Sequence, residues 1–295
     1  MARASKLFMA RSVLFRASRL WPLRAPRILA SLGTPNRQYA HLYAPMGSAE
    51  STQPSASWLR SCLCTERQFH TREFQAWCAQ LGEAPRMHRK AWEIYYICQA
   101  LAERGMLQPG RRGLGFAVGR EPLPAVFAAR GCEIVASDLA ADDRRARIWT
   151  KTSQHASNLA GLNARGLCEA AQFARLVSFR YVDMNAMPED LRDFDFTWSM
   201  CAFEHVGSID LGLRFIQEQM RCLRPGGVAV HTTEFNVSSN TKTLSQGECV
   251  LFRRRDIEAL AQALTQQGHK VEPLDLDLGS GPVDRHVDVP PYCED

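Results

Sequence analysis

Five acidic or histidine residues between positions 138 and 234 stand where they could share one binding site. They are Asp138, Asp183, Glu204, His205 and Glu234. Each closely follows a short apolar segment with the composition of a buried β-strand. If these strands run parallel, their carboxyl ends meet at one edge of the sheet, where open α/β sheets bind ligands. The sequence therefore predicts carboxylates and an imidazole around a single cleft.

A glycine-containing turn upstream of Asp138 predicts a ribose-binding site. Asp138 lies nineteen residues after Gly119. An acidic residue about twenty residues after such a turn can accept hydrogen bonds from both ribose hydroxyl groups. This spacing suits either a nicotinamide cofactor or S-adenosylmethionine.

The turn itself favours the second of these two cofactors. Gly113, Gly115 and Val118 do not complete a G-x-G-x-x-G pattern, and no phosphate-binding Lys-Ser or Lys-Thr follows. Glu121, at the start of the next predicted helix, would repel a pyrophosphate, which binds at the positive end of a helix. The same carboxylate suits an ammonium and a sulfonium group. Alternatively, Glu121 only complements the helix dipole.

The elements that must position these residues alternate from residue 111 onward. The predicted strands are 112–118, 133–137, 176–182, 194–199, 228–233 and 270–276. An amphipathic helix is predicted between the fourth and fifth strands, ending at Pro225-Gly226-Gly227. Helices alternating with near-continuously apolar strands predict a Rossmann-like, doubly wound, mostly parallel α/β sheet.

Five short motifs in this region, in a fixed order, resemble those of one enzyme family. They are Leu114-Gly115-Phe116-Ala117-Val118-Gly119, Ser137-Asp138, Asp183-Met184-Asn185, Phe194-Asp195 through Glu204-His205, and Leu223-Arg224-Pro225-Gly226-Gly227. Over about residues 111–276 the chain resembles a class I S-adenosylmethionine-dependent methyltransferase of the bacterial, small-molecule branch. Nothing strand-like follows Leu276, whereas sheets of this class end on an antiparallel seventh strand. We therefore expect an incomplete C-terminal edge.

The resemblance implies a set of cofactor-binding residues for S-adenosylmethionine. The turn at Gly115, Ala117 and Gly119 would approach the methionine part, Asp138 the ribose, and Asp183 with Met184 the adenine. Glu121 and Ser199 complete the predicted set. Ala117 and Glu121 stand where the family usually has glycines, which makes the turn less permissive than usual.

Two residues are predicted to act on the acceptor. His205 is a candidate general base because the pKa of an imidazole lies near working pH. Alternatively, it orients its loop or packs under the cofactor. Glu234 follows the fifth predicted strand and would face the same cleft. Some quinone O-methyltransferases bind a metal through a similar pattern that needs an acid where this chain has Cys201, so no metal is predicted.

The function predicted from these residues is methyl transfer to a small polar acceptor, a glycan or another metabolite, most simply at a hydroxyl group. Two alternatives remain open at this stage. One is a catalytically silent, cofactor-binding interaction or assembly protein, which the altered turn and the missing edge strand would suit. The other is an NAD(P)-dependent oxidoreductase.

The charge of the chain is uneven. Its first 49 residues contain eight of the 36 Lys and Arg residues and no acid, which leaves 28 basic against 31 acidic residues in the remainder. An acidic remainder argues against a nucleic-acid partner, and no apolar run approaches the roughly 20 residues of a membrane span.

The predicted organisation has three parts. Residues 1–57 form an N-terminal extension, either a transit-like tail or a segment upstream of a start at Met46. Residues 58–108 form a helical segment, and residues 109–295 form the cofactor-binding domain. The expected location is cytoplasmic, with the mitochondrial matrix as the alternative.

Overall fold

The computed structural model describes residues 11–12, 60–152, 154–156 and 158–285. These residues fall into two compact units, each described by itself. The sheet unit comprises residues 93–233, and the second unit comprises the described residues before 93 and after 233. The structure thus groups residues 234–285 with residues 60–92, although the sequence suggested one domain from residue 109 onward. Most of the predicted N-terminal extension lies outside the described residues.

The described residues contain ten strands and eight α-helices. In chain order the strands are β1 (Arg11–Ser12), β2 (Ser61–Cys64), β3 (Arg112–Phe116), β4 (Glu133–Asp138), β5 (Val177–Tyr181), β6 (Phe194–Met200), β7 (Leu223–Thr232), β8 (Phe235–Asn236), β9 (Phe252–Arg253) and β10 (Leu274–Asp275). The helices are α1 (Glu66–Phe69), α2 (Arg72–Gln80), α3 (Arg89–Glu103), α4 (Leu123–Ala129), α5 (Arg147–Lys151), α6 (Ala170–Leu176), α7 (Ile209–Gln219) and α8 (Arg254–Gln266). None of these helices is long and apolar enough to cross a membrane.

Five parallel strands form the centre of the sheet unit, in the order β5-β4-β3-β6-β7. The chain winds outward from β3 in one direction and then from β6 in the other, so the order reverses between β3 and β6. This is the doubly wound α/β fold, and the sequence prediction of it is confirmed. Ligands of such sheets bind at the carboxyl ends of the strands near this reversal.

Aromatic side chains cover both faces of the sheet. The Phe127 ring of α4 lies edge-on to Trp198, with the ring centroids 5.0 Å apart. The Phe215 ring of α7 lies edge-on to Phe116, at 5.1 Å. All four side chains are fully buried, and burying each contributes about 1.5–3 kcal/mol to folding. Successive strand residues face opposite sides, so these two clusters hold the helices on opposite faces.

The amino ends of three strands are tied together by one buried carboxylate. Asp195, near the start of β6, accepts hydrogen bonds from the Arg112 backbone amide at 2.8 Å and from Arg111 Nη1 at 2.7 Å. Arg224, in β7, pairs with the same carboxylate. Burial by itself would raise the pKa of Asp195, but these hydrogen bonds and charges outweigh it and lower the pKa. Two of the family motifs, Phe194-Asp195 and Leu-Arg-Pro-Gly-Gly, therefore meet at the end of the sheet away from the ligand edge.

The prediction that α7 ends at Pro225-Gly226-Gly227 is wrong. The helix ends at Gln219, and these three residues lie within β7. The pairing of β6 with β7 shifts register between Phe194 and Phe196, and Gly226 has a left-handed φ of 82°. Pro225, Gly226 and Gly227 form an irregularity within the strand. Pro and Gly are also the residues that commonly end helices, so the sequence by itself did not separate the two cases.

In the second unit, two sequence predictions need correction. The segment 58–108 was expected to be helical, but it also contains β2, whose Leu63 and Cys64 are buried. The predicted sixth strand, 270–276, is reduced to β10, which pairs parallel with β2 and not with the five-stranded sheet. Alternating charges such as Lys270 and Glu272 make this segment too polar for a central strand.

Candidate functional site

The turn after β3 adopts the backbone conformation that glycine favours. Ala117 has φ 47° and Gly119 has φ 52°, both in the left-handed region. This left-handed conformation costs a non-glycine residue about 1–2 kcal/mol. The backbone of Ala117 is therefore strained. A side chain at Gly119 would also meet the backbone oxygen of Gln154 at 2.7 Å. The turn is therefore held in its shape against an adjacent loop.

Asp138, the last residue of β4, lies under this turn. Its Oδ2 accepts hydrogen bonds from the backbone amides of Gly119 at 3.1 Å and Ala156 at 3.2 Å, and its Oδ1 accepts one from Leu139 at 2.8 Å. Burial raises the pKa of Asp138, although these amides and nearby His155 act in the opposite direction. Three amides thus fix the orientation of this carboxylate.

Asp183, two residues beyond β5, carries the second carboxylate of the same edge. Its two oxygens accept hydrogen bonds from Arg145 Nη1 at 3.2 Å and Nη2 at 2.8 Å. Arg145 also binds Asp143, and that side-chain hydrogen bond lowers the pKa of Asp143 to about 2. Asp183, which was predicted to bind the adenine, is therefore already hydrogen-bonded to the guanidinium group of Arg145.

These residues line one cleft in the sheet unit. Of the predicted site residues, six are in its wall: Ala117, Gly119, Asp138, Asp183, Met184 and His205. The wall also contains residues outside the predicted set, among them Arg145, Trp149, His155, Asn185 and Cys201. Most of these come from the irregular segment between β4 and α6 or from the residues after β6. Such segments lack the periodicity on which sequence prediction depends.

Three predicted cofactor ligands do not line the cleft. Gly115 packs against the Trp198 ring, which a Cβ at this position would overlap. Glu121 is buried and accepts a hydrogen bond from Trp198 Nε1 at 2.6 Å. Ser199 is buried and its Oγ lies 2.8 Å from His231 Nδ1. All three residues are packed beneath the site. Gly115 leaves room for the Trp198 ring. Glu121 and Ser199 are the polar partners of the Trp198 indole and of the His231 imidazole.

His205 stands at the end of a 3₁₀ turn, Phe203–His205, that follows β6. Its ring lies edge-on to Trp149, with centroids 5.1 Å apart. Its Nε2 is 3.9 Å from Oε1 of Glu204, whose side chain is fully buried and whose Oε2 accepts a hydrogen bond from Thr233 Oγ1 at 2.6 Å. The imidazole is thus half-exposed to the cleft with a buried carboxylate behind it.

Glu234 belongs to the second unit. Its side chain is buried, and its Oε1 lies 3.7 Å from Arg89 Nη1 of the same unit. Its backbone oxygen accepts a hydrogen bond from Phe252 at 3.2 Å, beside the pairing of β8 with β9. Its predicted role toward the acceptor stays a prediction from sequence.

Comparison with known proteins finds a domain match within the sheet unit. Residues 114–231 match a family described as a methyltransferase domain. No match was found among curated proteins.

Similar solved structures include phosphoethanolamine N-methyltransferase 2 from Haemonchus contortus in complex with S-adenosylmethionine, at 20% identity over 68% of this chain and 44% of that one, with a TM-score of 0.41. A proposed sarcosine dimethylglycine methyltransferase from Galdieria sulphuraria is 24% identical over 48% of this chain and 44% of that one, with a TM-score of 0.35. A methyltransferase from Geobacter sulfurreducens with bound S-adenosylhomocysteine is 20% identical over 45% of each chain, with a TM-score of 0.30. The chain spans less than half the length of each of these structures.

The family assignment agrees with the strand order and with the carboxylates at the ends of β4 and β5. The sequence resemblance is thereby confirmed at the level of the domain. Residues 114–231 are thus similar in sequence to a methyltransferase domain, and the resemblance to class I S-adenosylmethionine-dependent methyltransferases holds for this part of the chain.

Proposed function

We propose that this chain transfers a methyl group from S-adenosylmethionine to a small polar acceptor, such as a metabolite or a glycan. The observation that carries the proposal is the placement of Asp138. Its carboxylate is fixed by three backbone amides beneath the Ala117–Gly119 turn, in the wall of a cleft at the ligand edge of the sheet. A fixed acceptor of this kind suits a pair of ribose hydroxyl groups.

The residues present fit the cofactor. Asp138 would hold the ribose, Asp183 and the backbone of Met184 would hold the adenine, and the Ala117–Gly119 turn would hold the methionine part. The carboxylates lie at the ends of adjacent parallel strands, so one elongated molecule could reach both. Arg145 competes with the adenine for Asp183, and we expect this ion pair to open or to be shared when the cofactor binds.

The cofactor would supply a methyl group that its sulfonium already activates, so the protein needs to align the acceptor and remove a proton. We assign proton removal to His205, which lines the cleft on the side where β6 ends. The buried carboxylate of Glu204 would stabilise the imidazolium that forms. A hydroxyl or an amine acceptor would need the same base.

Titration calorimetry tests the proposal against its alternatives. We expect the protein to bind S-adenosylhomocysteine and not NAD. Binding of NAD alone would indicate an oxidoreductase, and binding of neither would contradict the proposal. A methyl-transfer assay on small-molecule extracts then separates an enzyme from a silent cofactor-binding protein, which would bind S-adenosylhomocysteine without forming a methylated product.

A further inference from the structure

We propose that Arg145 is a positioning residue of the cofactor site: it orients the Asp183 carboxylate and leaves it one acceptor position, which selects a base that carries an exocyclic amino group. This inference rests on the proposed methyl transfer, because it takes S-adenosylmethionine as the cofactor. It goes further in assigning the base selectivity to a residue on the connection after β4. It also commits to an ion pair between Arg145 and Asp183 that is kept, and not opened, when the cofactor binds.

Arg145 is held in place by its neighbour Asp143, the N-cap of the 3₁₀ turn Arg144–Ala146. Asp143 Oδ1 accepts hydrogen bonds from the backbone amide of Arg145 at 2.8 Å and from its Nε at 3.0 Å. Asp143 Oδ2 accepts a third hydrogen bond from Arg145 Nη2 at 2.7 Å. These contacts fix the plane of the guanidinium group independently of Asp183.

The same guanidinium group holds both oxygens of Asp183. Nη1 donates to Oδ1 at 3.2 Å and Nη2 donates to Oδ2 at 2.8 Å. Arg145 therefore uses four of the five N–H groups of an arginine side chain, two toward each carboxylate. A bidentate contact of this kind specifies geometry as well as contributing energy. Because Arg145 is half-exposed, we expect the pair to matter more for orientation than for stability.

This arrangement leaves Asp183 with one acceptor position. A carboxylate offers about four, two on each oxygen. Oδ1 accepts from Arg145 Nη1 and from the backbone amide of Asn185 at 2.9 Å, and Oδ2 accepts from Arg145 Nη2. Within the described part of the chain, the second position of Oδ2 has no donor. Asp183 lines the cleft, so a ligand there can supply one.

The next residue offers a donor. The backbone amide of Met184 makes no hydrogen bond to any residue that the structure describes, and Met184 also lines the cleft. An acceptor and a donor on consecutive residues match the amino group and the adjacent ring nitrogen of adenine. Neither position has to be vacated first, so the cofactor can bind while Arg145 keeps its hold on Asp183.

The selectivity follows from the character of a carboxylate paired with arginine, which only accepts hydrogen bonds. An amino group donates to Oδ2, whereas a carbonyl at the same place brings a second acceptor against it. The remaining N–H of Arg145 is on Nη1, at the other end of the ion pair from Oδ2, and does not compensate. Without Arg145 the partly exposed carboxylate is free to turn toward water, and the discrimination falls.

Titration calorimetry of the full chain compares S-adenosylhomocysteine with S-inosylhomocysteine, in which a carbonyl replaces the amino group. We expect the wild type to bind the adenosyl compound at least about tenfold more tightly, the effect of one hydrogen bond to a charged group. Arg145→Gln should weaken S-adenosylhomocysteine binding roughly two- to fivefold and lower the affinity ratio by a similar factor. Arg147→Gln removes the same charge at an exposed position on α5. It is the matched control and should leave the affinity and the ratio unchanged.

A conservative variant separates charge from geometry. Arg145→Lys keeps the positive charge, but an ammonium group lacks the planar fork that holds two carboxylates at once. We therefore expect Arg145→Lys to lower the affinity ratio as Arg145→Gln does. A wild-type ratio in Arg145→Lys would mean that charge alone is needed, and it would overturn the positioning role.

The outcomes separate this inference from the proposed function. If the wild type does not bind S-adenosylhomocysteine, the proposed methyl transfer fails and this inference fails with it. If it binds and Arg145→Gln binds equally or more tightly, the methyl transfer stands and Arg145 does not position Asp183. If Arg145→Gln weakens both compounds by the same factor, the ratio is unchanged, Arg145 supports only the local fold, and the inference is wrong.

Discussion

The two ends of the cleft are built by different means. At the cofactor end, Asp138 is oriented by backbone amides, and the adjoining turn depends on left-handed backbone at Ala117 and Gly119. At the proposed acceptor end, side chains from distant parts of the sheet unit contribute as well: Trp149 lies against His205, and Glu93 accepts a hydrogen bond from Cys201.

We infer from this difference that the two ends respond differently to substitution. Backbone amides and turn conformations survive many changes of side chain, so they can serve one cofactor in many proteins. Side-chain partners change with single substitutions. We therefore expect variants at the cofactor end to alter affinity and variants at the acceptor end to alter turnover.

The largest expected effect is at the acceptor end. His205→Gln should lower turnover by roughly 10²–10⁴-fold, the range for loss of a general base, while calorimetry shows nearly unchanged binding of S-adenosylhomocysteine. His70→Gln, an exposed histidine of the second unit, is the control. A parallel loss of affinity and turnover would make His205 structural and remove the contrast between the two ends.

The second prediction concerns pH and stability beneath the acceptor end. Burial lowers the pKa of His231 from 6.5 to about 3. Between these values the unfolded chain binds a proton that the folded chain does not, so stability falls as the pH falls, by at most about 1.4 kcal/mol per pH unit. The raised pKa of Asp138 acts with the opposite sign, because there the folded state holds the proton.

Urea unfolding at pH 7 and pH 5 measures this effect. The free energy of unfolding of His231→Gln should change less between the two pH values than that of the wild type. His70→Gln should behave as the wild type does. If the free energy of unfolding of His231→Gln changed between pH 7 and pH 5 as much as that of the wild type, His231 would not control the acid sensitivity of the fold.

The third prediction concerns the cofactor end. Asp138→Asn should weaken S-adenosylhomocysteine binding by about 1.5–3 kcal/mol, the scale for a charged hydrogen-bond partner. Calorimetry measures the affinity, and thermal melting checks that the variant is folded. Asp142→Asn, an exposed residue on the loop after β4, is the matched control. Unchanged affinity in a folded Asp138→Asn variant would place the ribose site elsewhere.

The smallest expected effect tests the backbone of the turn. Ala117→Gly should raise the free energy of unfolding by about 0.5–1 kcal/mol, because glycine adopts a φ of 47° without steric cost. The same substitution at Ala140, which has no left-handed φ, should give no gain. Denaturant unfolding compares the two variants. Equal effects would mean that the turn stores no strain.

The motifs that identified the family were of two physical kinds. Asp138 and Asp183 are in the cleft wall, as their positions after apolar strands predicted. Asp195 and Arg224 form an ion pair at the opposite end of the sheet, so the Leu-Arg-Pro-Gly-Gly motif reports a structural contact. Both kinds of motif could be recognised in the sequence, because strand ends and turns are local features of the chain.

Other predicted site residues do not line the cleft, because a strand end does not determine which way its side chains point. Glu121 and Ser199 are correctly placed after or beside strands, yet each is taken up by a buried partner. Arg145 and Trp149 were missed because they lie in a short 3₁₀ turn and in α5, which are too short to show an apolar period. Only the packed chain brings these elements across the ends of β4 and β5.

The amino-acid sequence by itself determined the alternation of strands and helices, the parallel sheet, the carboxylates at the ends of β4 and β5, and the resemblance to a methyltransferase domain. These features depend on local periodicity, turn residues and short spacings, all of which one stretch of chain contains. Tertiary structure alone decided that Arg145 engages Asp183, that Glu93 stands behind Cys201, and that Trp149 contacts His205. Each of these pairs joins residues 38 or more positions apart, and such contacts are set by packing, which no local pattern records.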